Sequence, residues 1–69
     1  MGLKWEDGFT IDVHIDNGKV ILSANREGLL SLANHLTAIA EMDAGYDLHL
    51  DEYNSLEDGS DELIIVKTE

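Results

Sequence analysis

Phe9 to Ile15 alternates without a break. Phe9, Ile11, Val13 and Ile15 point one way, and Thr10, Asp12 and His14 point the other. That period-two pattern is a strand with one buried face. Asp16-Asn17-Gly18-Lys19 follows at once, and Asn-Gly supplies the positive φ values that a tight hairpin turn demands. Lys19 to Ala24 (Lys-Val-Ile-Leu-Ser-Ala) is then the returning strand. A chain that commits its first third to an antiparallel hairpin must cover that hairpin with whatever comes next.

What comes next reads as a helix. Ser23 and Asn25 are both good N-cap residues, and Glu27 suits a first turn. Leu29, Leu32, Ala33, Leu36, Ile39 and Ala40 recur at steps of three and four, one apolar stripe of about four turns. Gly28 costs on the order of 1 kcal/mol against alanine inside a helix, tolerable where the helix start packs close to a strand. His35 falls beside the stripe, at its boundary. Asp43-Ala44-Gly45 is expected to end the helix, with Gly45 as a left-handed stop.

Asp47 to Tyr53 alternates again, Asn54 to Asp61 is a polar turn region, and Glu62 to Thr68 is a strongly β-prone closing strand. The order β-β-α-β-β predicts an α+β fold, with one helix on one face of a four-stranded, mainly antiparallel sheet. Residues 1–69 are expected to form one small domain. The second and fourth strands are apolar on both faces: Val20 and Leu22 against Ile21, and Leu63 and Ile65 against Ile64 and Val66. One helix covers one face, so the remainder predicts an exposed apolar patch and a homodimer or other complex.

At 69 residues with no Cys, the chain has no disulfide framework, thiolate metal site or cysteine nucleophile. No apolar run reaches a membrane-spanning length, and Met1-Gly2-Leu3-Lys4-Trp5-Glu6 has neither the core of a signal peptide nor a myristoylation signal. A cytoplasmic protein is expected.

Charge is the main functional signal. Lys and Arg total 4 against 15 Asp and Glu, for a net charge of -11. Glu41, Asp43, Asp47, Asp51, Glu52, Glu57, Asp58, Asp61 and Glu62 fall in one stretch that holds no Lys or Arg. Such a field repels nucleic acid and anionic membrane, and attracts basic protein surfaces. Within it, Asp51, Glu52, Tyr53, Asn54, Glu57, Asp58 and Asp61 are the candidate partner-binding residues. Tyr53 is read equally as an interface anchor and as a structural residue, and Trp5 is read as packing.

Other chemistries find less support. His14, His49 and Asp51 invite a metal reading, but clear ligand spacing is missing and solvated or carboxylate-paired histidines are expected. Asp51 to Glu62 has the length of a calcium loop, yet Tyr53 and Leu56 occupy its third and sixth positions, and the sixth needs glycine. No catalytic residues stand out: there is no nucleophile-elbow context and no phosphate-binding glycine loop. Neither enzyme activity nor a cofactor is expected.

Two stretches carry a family resemblance. Ser23 onward reads Ser-Ala-Asn-Arg-Glu-Gly-Leu-Leu-Ser-Leu-Ala-Asn-His-Leu, with Glu27, Gly28 and Leu29 as its element. His49 to Glu52 (His-Leu-Asp-Glu), then Leu56 and the closing apolar strand, form the second. In this order, from about Val20 to Lys67, the chain resembles the immunity protein 32 family of bacterial polymorphic toxin systems. The resemblance implies a small α+β cytosolic protein that neutralises a cognate toxin, with no catalytic residues to carry over. An acidic inhibitor fits the basic cleft of a toxin that attacks nucleic acid, which makes a toxin with a basic surface the expected partner.

Overall fold

The computed structural model describes residues 5–69. The expectation that Met1-Gly2-Leu3-Lys4 carries no targeting signal lies outside them. Strand β1 (Ile11–Asp16) and strand β2 (Lys19–Ala24) form the hairpin, paired from Ile11 with Ala24 to Asp16 with Lys19. Asn17 and Gly18 turn it at φ 52° and 75°, the conformation the Asn-Gly pair was read for. Helix α1 (Arg26–Ala40) follows, then β3 (Asp47–Leu50) and β4 (Leu63–Val66), also antiparallel. The element order and the α+β class match the sequence reading.

The sheet does not. Two separate two-stranded sheets stand where a single four-stranded one was expected. The reason lies on the outer edge of β1. Glu57 N donates to Ile11 O at 2.8 Å and Asp61 N to Val13 O at 2.7 Å. Val13 N donates to Ser60 Oγ at 3.2 Å, and Ile15 N to the Asp61 carboxylate at 2.9 Å. The β3–β4 connection therefore occupies the edge that a third strand would have used. Its Asp58-Gly59 turn, with Gly59 at φ 84°, keeps it from extending into a strand itself.

Asn25 caps the helix, its Oδ1 accepting from Gly28 N at 2.7 Å and Thr10 N at 3.0 Å while its Nδ2 donates to Gly8 O. One side chain so ties the helix start to the segment that leads into β1. The buried face of α1 is Gly28, Ser31, Leu32, His35, Ala38 and Ile39. Each of these stands one place before a residue of the expected stripe, a rotation of about 100°. Leu32 and Ile39 belong to both sets, while Leu29 and Leu36 are exposed. Close contacts set the rotation. Gly28 lies against Thr10 O, Ala24 and Ile11; Ser31 Oγ accepts from Glu6 N at 2.8 Å; and Trp5 tilts over His35 with ring centroids 4.0 Å apart. His35 is thus a core residue, not a boundary one, with Nδ1 2.6 Å from Ser31 O and Nε2 without a hydrogen-bond partner among the described residues.

The helix ends at Ala40, before the expected stop. Gly45 serves the approach to β3 instead, at φ 91° with its N–H donated to Lys67 O. Lys67 Nζ donates to Ala40 O at 2.7 Å and Met42 O at 2.8 Å, supplying the cation that the last helical turn lacks. Ile11, Val13, Leu32, Leu50 and Leu56 make the core, with Trp5, Phe9, Ala24, Leu48, Leu63 and Ile65 around it. Trp5 stacks on Phe9 at 4.6 Å, the packing role expected of it. Among the described residues no helix is long and apolar enough to cross a membrane.

Candidate functional site

The acidic connection between β3 and β4 is built in two steps. First, Asp51 stops β3. Its carbonyl accepts from the N–H groups of Asn54, Ser55 and Leu56, and its carboxylate from Tyr53 N at 2.9 Å. Asn54 returns the contact, Oδ1 accepting from Asp51 N at 3.0 Å and Nδ2 donating to His49 O at 3.1 Å. This knot is why the strand ends at Leu50, three residues short of the expected Tyr53. Leu56 then drops into the core.

Second, the chain is laid along β1. Beyond the backbone bonds from Glu57 and Asp61, Ser60 Oγ donates to Asp12 Oδ1 at 3.0 Å, and Glu52 Oε2 accepts from Gly59 N at 2.8 Å. The connection is long but it is pinned at Leu56, at Ser60 and at Asp61.

This construction sorts the seven candidate residues. Asp51, Glu52, Asn54 and Asp61 spend side-chain atoms on holding the loop together. Tyr53, Glu57 and Asp58 are exposed, and their side chains make no hydrogen bond or ion pair with any described residue. Tyr53 is 89% exposed, far beyond what a packing role would leave. The acidic loop thus holds its backbone in place while displaying Tyr53, Glu57 and Asp58 to solvent. Sequence reasoning missed Leu56, Ser60 and Asp12 as the residues that fix it. The Asp51-to-Asn54 spacing was the available signal, since both residue types close local turns with their own side chains.

The histidines do not converge. His14 Nε2 pairs with Asp12 at 2.8 Å on β1, a strand that does not adjoin β3. His49 lies between two carboxylates, Nδ1 3.1 Å from Glu62 and Nε2 3.3 Å from Asp47. The Glu62 hydrogen bond, and then that of Asp47, raises its pKa above the ordinary 6.5. Opposite ring nitrogens aim at opposite sides, so these two carboxylates cannot share one ion with the imidazole. No group of three or more His, Asp or Glu among the described residues is arranged to hold a metal. At the ends of the calcium-length loop, the Asp51 carboxylate accepts from Tyr53 N and the Glu62 carboxylate lies against His49.

The sequence profile described as Immunity protein 32 matches residues 19–68. The chain belongs to the immunity protein 32 family. No curated protein and no solved structure matches it. In this immunity protein 32 member the match takes in β2, α1, β3, the acidic loop and β4. It leaves out β1, whose outer edge holds the loop in place.

Proposed function

We propose that this immunity protein 32 member acts in the cytoplasm as one small, non-catalytic domain that binds and neutralises a cognate toxin through its acidic loop. Tyr53 is the anchor, with Glu57 and Asp58 meeting a basic toxin surface. Asp51, Glu52, Asn54 and Asp61 hold the loop in its binding shape and add to its negative field. The observation that carries this reading is the exposed Tyr53, whose side chain makes no hydrogen bond with a described residue, on an acidic loop pinned to β1 and the core. Family membership supplies the toxin as partner class, and the charge of -11 supplies the sign of the surface it would meet. Buried aromatic anchors carry much of an interface's energy, while peripheral charges mainly set association rate and salt dependence.

The test uses a cognate toxin, co-expressed with the full chain. Tyr53→Ala is expected to weaken binding by a factor of about 30 or more, as loss of a hot spot of about 2 kcal/mol does. Glu57→Gln with Asp58→Asn is expected to slow association and flatten its salt dependence. If all three substitutions leave binding and protection unchanged, the toxin is met elsewhere on the molecule. Self-association is a second reading, favoured by the exposed apolar residues of β2, and it is compatible with toxin binding.

A further inference from the structure

The hairpin register fixes which backbone groups of β2 are free. Ile11, Val13 and Ile15 turn backbone groups toward the 57–61 segment. By antiparallel alternation Asp12, His14 and Asp16 therefore bond to Ser23, Ile21 and Lys19. Val20 and Leu22 then aim their N–H and C=O groups away from β1, and no described residue meets them. Their side chains are exposed too, Val20 at 66% and Leu22 at 39%, beside Ile15 at 61%; on the opposite face Ile21 is 45% exposed. Natural proteins blunt such an edge with proline, a bulge, lysine or inward charge. Of these Lys19–Ala24 has only Lys19, at its turn end, which leaves Val20 to Ala24 unguarded; the strand is also free of carboxylates, in a chain of net charge -11.

We propose that β2 is the seam of a homodimer, in which two copies pair edge to edge and antiparallel about a two-fold axis through Ile21. This rests on the self-association reading and is independent of the toxin. Backbone parity restricts the register, because the outward groups of Val20 and Leu22 must meet outward groups. Placing Val20 opposite the partner's Leu22 does so and keeps the pairing within the strand. Ile21 then faces the partner's Ile21 on one side of the sheet. On the other side Ile15, Val20 and the partner's Leu22 form one apolar row. Shifting the axis to Leu22 would set Ile21 against the partner's Ser23 and waste that match.

Charge agrees with this register. Each Lys19 lands opposite the partner's Ser23, on the row that continues to the partner's Asp12. That carboxylate is about 10 Å away between backbones, two strand spacings, within the span of a lysine stem. The acid-free strip is where two such acidic molecules can meet with least repulsion. The product is a four-stranded sheet, β1-β2-β2-β1, in place of two hairpins that are each marginal alone.

The chain has no cysteine, so one introduced thiol reports the seam cleanly. On the axis, Ile21→Cys would face its twin at a Cα separation of about 4.5 Å, inside the disulfide window of about 4.4–6.8 Å. Val20→Cys would be two residues out of step with its twin and beyond that window. Both positions are exposed, so both variants are expected to fold, checked by circular dichroism. Sedimentation of the unmodified full chain at about 100 µM, where any dimer with a micromolar Kd is populated, is expected to give twice the monomer mass. Val20→Lys is expected to halve it. Under mild oxidation Ile21→Cys is expected to cross-link at least tenfold faster than Val20→Cys. A dimer in which Ile21→Cys links no faster than Val20→Cys overturns the seam but keeps self-association. A monomer at that concentration overturns both. A monomer whose β2 amides become protected from exchange only on adding toxin assigns the edge to the toxin instead.

Discussion

Gly28 and Thr10 touch backbone to backbone: a Cβ built on Gly28 would sit inside the contact distance of the Thr10 carbonyl oxygen and 3.0 Å from Ala24 Cβ and Ile11 Cγ1. A carbonyl in a segment tied to the helix cap cannot swing aside as a flexible side chain could. Gly28→Ala would gain about 1 kcal/mol of helix propensity. Against that stands an overpacking cost of about 1–3 kcal/mol or more, and the contact here is with backbone, at the severe end. A lower urea midpoint is the expected result. Leu36→Glu, on the exposed face, should change stability by less than about 0.5 kcal/mol. The reverse ranking would mean the helix is rotated back to the stripe that its leucines suggest.

Lys67 reaches from the end of β4 to the carbonyls of Ala40 and Met42. Its own N–H donates to Tyr46 O, so it closes the helix end and the β3–β4 pair together. Lys67→Met keeps the stem but removes the donor, leaving the helix dipole without a cation. Charge-assisted bonds are worth about 1.5–3 kcal/mol when well shielded. At this partly exposed site solvent screening reduces that, and a loss of about 1 kcal/mol is expected in denaturant melts. Lys67→Arg should recover part of it.

His49 makes stability depend on pH in a defined direction. Its pKa is higher folded than unfolded because the Glu62 and Asp47 carboxylates stabilise the imidazolium. The folded state therefore binds the proton more tightly. The resulting stabilisation is complete below the unfolded value of 6.5 and fades as pH rises through the raised folded pKa. Melting temperature measured from pH 5.5 to 8.5 should fall more steeply in the unmodified protein than in His49→Gln. The effect is small because the site is open to water. Equal slopes would show that the two carboxylates leave the imidazole unperturbed in solution.

Local signals were legible in the sequence, and contacts between distant segments were not. Asn17-Gly18 turned the hairpin as its residue types demand, and Asn25 capped the helix. The helix face was displaced because hydrophobicity favours Leu29 and Leu36, whereas close approach to Thr10 favours glycine at position 28 and a hydroxyl at Ser31 answers Glu6 N. Nothing periodic announces either contact. Likewise, the sheet divided because Ser60 and Asp61 reach back to residues nearly fifty positions earlier. The acidic character of the candidate surface was plain from composition. Which acids hold the loop and which are displayed depends on amides that only the folded chain brings near.

Asp61 and Asp58 lie three positions apart and should behave as different kinds of residue. Asp61 accepts from Ile15 N and places its own N–H on Val13 O, so its carboxylate fastens the loop to β1. Asp58 is exposed and its side chain makes no hydrogen bond or ion pair with a described residue. Both changes remove one negative charge, so any purely global charge effect cancels between them. Asp61→Asn weakens a charge-assisted bond, and a loss of about 1 kcal/mol is expected. Asp58→Asn should leave stability within about 0.5 kcal/mol and relieve some repulsion within the acidic loop. Leu56→Ala gives the upper bound for loosening the same loop, about 2–5 kcal/mol for a buried leucine. Toxin binding should separate the same pair differently. Asp58→Asn would act on association rate and salt dependence alone, while Asp61→Asn would also speed dissociation, because a loosened loop must be reordered on binding. If both variants change binding only through salt-dependent association, the loop is a charge carrier and its pinned shape contributes nothing to recognition.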